Sequence, residues 1–189
     1  MSNYWHLPFL LSFLLFTIPA QAQTTLLSES FDSDLGVFSA YSVTSDANWR
    51  HVKQNGDGVA YINGFQSNET SNDWLISPAL DLSSTSFEEL TVNVEKNYEG
   101  PDLKVKVSTN YSGSGDPTTA SWAEERSIGS SGDVSVDLSD YTGNGSVYVA
   151  FHYTSDGITG STVAEYLVDD VEIISTDKTL VRFASGRTL

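Results

Sequence analysis

The sequence predicts an all-β protein, a two-sheet antiparallel β-sandwich. Short runs of alternating apolar and polar residues recur about every ten to fifteen residues, separated by turns rich in Gly, Ser, Asn and Asp. Signals for helices are nearly absent after residue 22. The longest run, residues 162–174, is rich in β-branched and aromatic residues and predicts a strand that closes the fold.

The first 22 residues are predicted to be a signal peptide outside this fold. Residues 7–18 form an apolar run too short to span a membrane comfortably, and Ala20-Gln21-Ala22 has the small-x-small form of a cleavage site. We therefore expect cleavage after Ala22 and export. Because no Lys or Arg precedes the apolar run, an uncleaved interfacial helix is the alternative.

Eleven runs in the mature chain are predicted as strands, a number that suits two packed sheets. Three of them alternate cleanly, so one face of each is expected to face the core and the other the solvent. Their core-facing residues are Leu90, Val92 and Val94; Leu103, Val105 and Val107; and Val147, Val149 and Phe151. The predicted strands span residues 26–31, 37–43, 49–53, 59–62, 73–76, 87–98, 103–108, 122–128, 134–138, 146–154 and 163–174.

The closing strand carries two adjacent carboxylates. A period of two places Leu167, Asp169, Val171 and Ile173 on one face, so Asp169 is expected on the apolar row. A lone carboxylate in that position is costly unless it is paired, hydrogen-bonded or bound to a cation. We expect its partners at the start of the mature chain, in residues 28–32.

The composition of the chain changes near its end. From residue 177 onwards Lys178, Arg182 and Arg187 occur with no acidic residue after Asp177, and clean alternation stops. The sequence thus predicts one domain at residues 23–176, followed by a basic tail or linker stub at residues 177–189.

Charge and cysteine content narrow the possible partners. The chain has 25 Asp and Glu against nine Lys and Arg, a net charge of −16, and no Cys. Nucleic acid and anionic membranes are not expected as partners, because both require clustered positive charge. The acidic surplus favours solubility and cation binding, and without disulfides the fold depends on packing and bound ions.

An ordered set of short motifs extends from residue 26 to about residue 174. They are ESFD at 29–32, NW at 48–49, DWLISPALDL at 73–82, VKVSTNYSG at 105–113, ASW at 120–122, VDLSDY at 136–141, VAFHY at 149–153 and VDDV at 168–171. This set resembles the cleaved-adhesin, or choice-of-anchor J, domain of Bacteroidota-type bacteria. The resemblance implies a jelly-roll sandwich, related in shape to MAM domains and carbohydrate-binding modules, that serves as a non-catalytic accessory module.

The resemblance also implies a structural calcium between the first strand, the following loop and the last strand. Three positions match that arrangement, namely Asp32, Asp57 and Asp169. Calcium takes six to eight oxygens at about 2.3 to 2.6 Å, which carboxylates and loop carbonyls supply.

Strand parity adds a fourth candidate ligand and raises one conflict. Glu29 shares the face of Phe31 and would meet Asp169 if the first and last strands pair, whereas Asp32 falls on the opposite face. The alternative to a metal is that Asp169 accepts backbone hydrogen bonds or pairs with Arg50 or Lys53.

Two groups of residues are candidates for ligand binding. Trp49, Trp74 and Trp122 offer rings on which a sugar could stack, although core packing is the competing explanation, most of all for Trp74 in its apolar run. The outward rows of the long strands are the second group, and we expect them to share one sheet face. They consist of Tyr148, His152, Lys104, Lys106, Asn93 and Glu95.

No catalytic motif is recognisable. His51 and His152 are the only histidines after the signal peptide, and the chain has no thiol, no G-x-S-x-G and no H-E-x-x-H. Two hypotheses remain, both for a monomer of the secreted or cell-envelope class. One is a non-enzymatic module that attaches to glycans or surface proteins; the other is a structural or protein-interaction spacer without a small ligand.

Overall fold

The computed structural model describes residues 23–67, 69–156 and 162–176. The expected signal peptide (1–22) and basic tail (177–189) lie outside the described residues. The strands are β1 (Gln23–Glu29), β2 (Ser39–Ser42), β3 (Arg50–Gln54), β4 (Asp57–Asn63), β5 (Ser71–Ile76), β6 (Glu88–Asn97), β7 (Leu103–Ser108), β8 (Ala123–Ile128), β9 (Gly132–Asp137), β10 (Tyr148–Ser155) and β11 (Glu165–Thr176). Two single-turn 3₁₀ segments occupy Pro117–Thr119 and Ser139–Tyr141. Within the described ranges no helix has the length and apolar character needed to span a membrane.

The strands form two antiparallel sheets that pack face to face. Sheet 1 has the order β3-β4-β11-β6-β9, with β1 also paired to β11, and sheet 2 has the order β2-β5-β10-β7-β8. The predicted two-sheet antiparallel sandwich is therefore confirmed, and each of the eleven predicted runs overlaps an observed strand.

The core lies between the two sheets, where alternation predicts it. The inward side chains of β6 and β7 are at most 2% exposed, and those of β10, with Val147 just before it, are at most 1% exposed. Burying each such side chain contributes about 1.5 to 3 kcal/mol, so these strands supply much of the stabilisation. The residues are Leu90, Val92 and Val94; Leu103, Val105 and Val107; and Val147, Val149 and Phe151.

A β-bulge interrupts the closing strand β11. Asp169 pairs with Asn93 of β6 but Glu172 pairs with Thr91, so two residues of β11 oppose one of β6. Asp170, inside the bulge, has a φ of 47°. The prediction of unbroken alternation is therefore wrong, and Asp169 does not lie on the core-facing row.

The bulge changes which residues of β11 face the core. Tyr166 and Val168 point inward before it, and Val171 and Ile173 point inward after it. Leu167 and Asp169 accordingly belong to the outer face of sheet 1.

On one side of β11, the neighbouring strand changes at the bulge. Residues 165–168 pair with β4, whereas residues 171–176 pair with β1. Gly58 of β4 lies directly against the chain that follows β1, since a Cβ there would be 2.2 Å from the carbonyl oxygen of Phe31. The ends of β1 and β4 thus meet beside Asp169.

Candidate functional site

The outer face of sheet 2 carries the side chains of Tyr148, Ala150 and His152 from β10. Alternation places them there as predicted, but the expected solvent exposure is wrong: they are 9%, 0% and 9% exposed. The β7–β8 loop brings Tyr111 and Trp122 over this face, and these side chains cover β10. An apolar layer therefore lies outside the sandwich core.

Aromatic rings form most of this layer, which we term the outer aromatic cluster: Tyr41, Trp74, Tyr111, Trp122 and Tyr148. The ring of Trp74 lies 5.1 Å from that of Trp122, and Tyr111 lies 5.5 Å from Trp122 and 5.2 Å from Tyr148, centroid to centroid. Tyr41 and Trp122 remain partly exposed at its rim. The cluster is closely packed beneath and open at its edge.

The three candidate tryptophans occupy different environments. Trp49 lies in the core between the sheets, as the packing explanation predicts. Trp74 is only 4% exposed, but it belongs to the outer aromatic cluster and not to the core between the sheets. Trp122 is partly exposed, and its indole N–H donates to the carbonyl oxygen of Pro117 at 2.9 Å.

His152 stacks on Trp74 with 3.9 Å between ring centroids. The Oδ1 atom of Asn72 accepts a hydrogen bond from the Trp74 indole N–H at 2.8 Å and lies 2.8 Å from His152 Nε2. Because an indole nitrogen only donates, Oδ1 is the acceptor for both rings and His152 carries its proton on Nε2. Nδ1 is then unprotonated, and it is buried without a hydrogen-bond partner.

Charges around His152 favour its neutral form. Burial, followed by the positive charges of Lys106 and Lys104, lowers the pKa of His152 to about 4. The Lys106 ammonium lies 5.3 Å from the centre of the Trp74 ring. The Lys104 ammonium donates to Glu124 at 3.0 Å and to Ser127 at 2.9 Å. This face thus combines aromatic rings, a neutral imidazole and two ammonium groups.

Three of the four predicted ligand-binding residues share this face, and one does not. Lys104 of β7 pairs with His152 of β10, and Tyr148 lies on the same side of β10. Asn93 belongs to β6 in sheet 1, where its side-chain amide donates to Asp133 at 2.7 Å. The expectation that Asn93 and Glu95 lie beside the residues of β10 is wrong, because β6 and β10 belong to different sheets.

Sequence reasoning named Trp74 as a candidate but did not place β5 on this face. Alternation in SNDWLI places Asn72, Trp74 and Ile76 on one side of β5. This pattern was the available signal. Trp74 of β5 and Tyr41 of β2 supply two of the five rings of the outer aromatic cluster.

The predicted calcium ligands lie near the bulge of β11. Burial, and then the negative charges of Asp170, Asp57 and Asp32, raise the pKa of Asp169, although a hydrogen bond from the Asp170 amide to Asp169 Oδ1 at 2.8 Å opposes this. Asp57 and Asp169 line the same shallow cavity of about 230 Å³. The structure therefore brings Asp32, Asp57 and Asp169 into one region.

The parity conflict over Asp32 has a structural explanation. Phe31 has a φ of 51°, so strand alternation ends at Phe31 and the chain turns towards β4. Of the two alternatives to a metal, the backbone hydrogen bond to Asp169 is present. Within the described part of the chain, Asp169 forms no ion pair with Arg50 or Lys53.

Glu29, the fourth predicted calcium ligand, stabilises a loop. Its carboxylate accepts hydrogen bonds from the backbone amides of Phe31 and Val37, each at 3.0 Å, and so fastens the β1–β2 loop. Across residues 23–67, 69–156 and 162–176, no three His, Asp or Glu side chains lie close enough together to hold a metal ion. The oxygen donors near Asp169 suit calcium in chemistry, but their side chains do not form a coordination shell.

Comparison with solved structures identifies the fold. The K1 cleaved adhesin domain of Lys-gingipain from Porphyromonas gingivalis W83 is 20% identical, with a TM-score of 0.57 over 79% of this chain and 97% of that domain. The module TmCBM61 in complex with β-1,4-galactotriose is 12% identical, with a TM-score of 0.55 over 79% of this chain and 97% of that one.

A third similar structure is the CBM22-1 xylan-binding domain of Paenibacillus barcinonensis Xyn10C. It is 16% identical, with a TM-score of 0.53 over 85% of this chain and 99% of that domain. No family model matches the chain, and no curated protein sequence matches it significantly. The chain shares the jelly-roll sandwich of these adhesin and carbohydrate-binding modules, which confirms the expected fold class.

Proposed function

We propose that this chain is an exported, non-catalytic binding module that attaches to glycans through the outer aromatic cluster of sheet 2. The observation that carries the proposal is this cluster itself. The outer face of a two-sheet sandwich usually meets solvent and is polar. Here five aromatic side chains occupy it, and Tyr41 and Trp122 remain partly exposed at its rim.

The chemistry of the cluster suits a sugar. A ring face complements the apolar face of a pyranose, and neighbouring polar groups can bind its hydroxyls. Asn72, Lys104 and Lys106 lie around Trp74 and His152. The similar structures named for galactotriose and xylan support the same ligand class for this fold.

We propose in addition that a structural calcium binds between the ends of β1, β4 and β11 when Asp32, Asp57 and Asp169 draw together around it, since in this structure the three carboxylates share one region but form no coordination shell. Their position in one region near the bulge supports this, as do the negative charges of Asp57 and Asp32 that raise the pKa of Asp169. Glu29 is not part of this set because backbone amides occupy its carboxylate. A bound divalent cation would offset two of the three negative charges and join the strand ends.

The test is affinity electrophoresis of the mature protein, residues 23–189, through gels that contain xylan, β-1,4-galactan or mixed-linkage β-glucan. We expect retardation by at least one polymer. Trp122→Ala and Tyr41→Ala, which remove the exposed rings, should each weaken that binding about tenfold.

Phe87→Ala is the matched control, because Phe87 is 42% exposed and lies outside the cluster, next to β6. It should migrate as the unmodified protein does. Free migration through every polymer would contradict glycan binding and favour the spacer hypothesis. Retardation that survives both cluster variants would place the site elsewhere.

A further inference from the structure

A second cavity lies on sheet 1, at the end of β4 and the start of β11. It has a volume of about 310 Å³ and is lined by Asn63, Phe65, Tyr98, Val163 and Glu165. Pockets for small ligands start at about this size. None of these residues belongs to the outer aromatic cluster or to the group around Asp169.

Two unusually exposed aromatic rings line this cavity. Phe65 is 51% exposed and Tyr98 is 71% exposed. Tyr98 also has a φ of 68°, a conformation that costs a bulky residue about 1 to 3 kcal/mol. The chain thus holds an apolar ring in water and in an unfavourable backbone conformation at the same place.

The cavity is also lined by a carboxylate that neutral donors hold in position. Glu165 Oε2 accepts from the Tyr61 hydroxyl at 2.6 Å and from Asn63 Nδ2 at 2.9 Å, and Oε1 accepts from Asn97 Nδ2 at 3.2 Å. A carboxylate accepts about four hydrogen bonds, so one position stays open. In the described part of the chain Glu165 forms no ion pair.

The polar lining therefore offers acceptors and negative charge. Asn97 Nδ2 also donates to Glu95, and Asn63 Oδ1 accepts from the Phe65 amide, so both amides are largely occupied. None of the lining residues that the structure describes is basic, and the whole chain has a net charge of −16. A matching ligand brings N–H donors and positive charge on an apolar body.

We propose that this cavity binds an amino sugar with a free ammonium group, of the glucosamine type. The ring of the sugar lies between Phe65 and Tyr98, and its ammonium group reaches the open position on Glu165. Ammonium groups are attracted both to aromatic faces and to carboxylates, and a desolvated site strengthens both interactions. From the proposed function this inference takes only that the ligand is a glycan, and it concerns a different site.

The test compares two ligands of equal length by isothermal titration calorimetry at pH 6. Glucosamine tetramer carries the ammonium groups, and N-acetylglucosamine tetramer has the same rings without the charge. We expect the glucosamine tetramer to bind at least tenfold more tightly to the mature protein.

Variants locate the binding. Phe65→Ala and Tyr98→Ala should each weaken it about tenfold, while both leave the charge of the protein unchanged. Glu165→Gln removes the charge and should weaken it at least as much, with a thermal melt to confirm folding. Phe87→Ala, an exposed aromatic outside the cavity, should bind as the unmodified protein does.

Each other outcome overturns the proposal. Equal affinity for the two tetramers, or no binding, refutes recognition of the ammonium group. Affinity that is unchanged in Phe65→Ala and Tyr98→Ala shows only attraction to an acidic surface. Loss in Trp122→Ala alone assigns the ligand to sheet 2, which refutes the second site and leaves the proposed function standing.

Discussion

Asp73→Asn tests the most unusual acid in the core. Asp73 lies on the inner side of β5 and has no exposed surface. The Ser45 hydroxyl donates to its Oδ2 at 3.4 Å, whereas Oδ1 is buried without a hydrogen-bond partner. No ion pair to Asp73 exists among the described residues. A charge at this position is therefore poorly compensated.

The cost of that charge follows from the pKa. Burial raises the pKa of Asp73 from 3.8 to about 6, against the weaker opposing effect of the nearby hydroxyls of Ser42, Ser71 and Ser45. Because the pKa of Asp73 is higher in the folded than in the unfolded protein, the contribution of its protonated form to folding stability is complete below pH 3.8. This contribution is lost as the pH rises through 6. A shift of about two units corresponds to about 3 kcal/mol of folding stability.

The assay is urea unfolding of the unmodified protein and of Asp73→Asn between pH 3.5 and 8. The difference in unfolding free energy should move in favour of the variant by about 3 kcal/mol as the pH rises across this window. The exposed acid Asp140 provides a matched control, since Asp140→Asn should change little. A difference that stays constant with pH would refute the argument, whatever its absolute size.

Two further predictions use the same protein. His152→Gln should show the opposite dependence on pH. Because the pKa of His152 in the folded protein is about 4, below the ordinary 6.5, the unmodified protein loses stability as the pH falls from 6.5 towards 4. The variant should not show this loss in the urea assay. For the calcium proposal, a chelator should lower the melting temperature and Asp169→Ala should abolish that sensitivity. A melt indifferent to both calcium and chelator would exclude the metal.

The sequence determined the strands and the side chains that fill the core. Alternation is local, since each residue in a strand points opposite to its neighbour, and runs such as Leu103, Val105 and Val107 show it without knowledge of their partners. The same rule correctly placed Tyr148 and His152 on an outer face. The order of motifs from residue 29 to residue 171 similarly predicted the sandwich that the solved structures confirm.

Three features depended on contacts between distant segments. The bulge at Asp170 arises where β11 exchanges β4 for β1, and it turned Asp169 from the expected core row to the outer face. The separation of Asn93 from His152 depends on which sheet each strand joins. The burial of Tyr148 depends on a loop that returns Tyr111 and Trp122 to sheet 2, and His152 stacks on Trp74 of the neighbouring strand β5.

The cavity beside Tyr98 combines both kinds of information. Its residues come from β4, from β11 and the segment just before it, and from the segments that follow β4 and β6, so the sequence shows each one but not their proximity. Alternation sets the direction of a side chain within its own strand. Pairing, bulges and covering loops decide what that side chain meets, because these contacts join segments that are far apart in the chain.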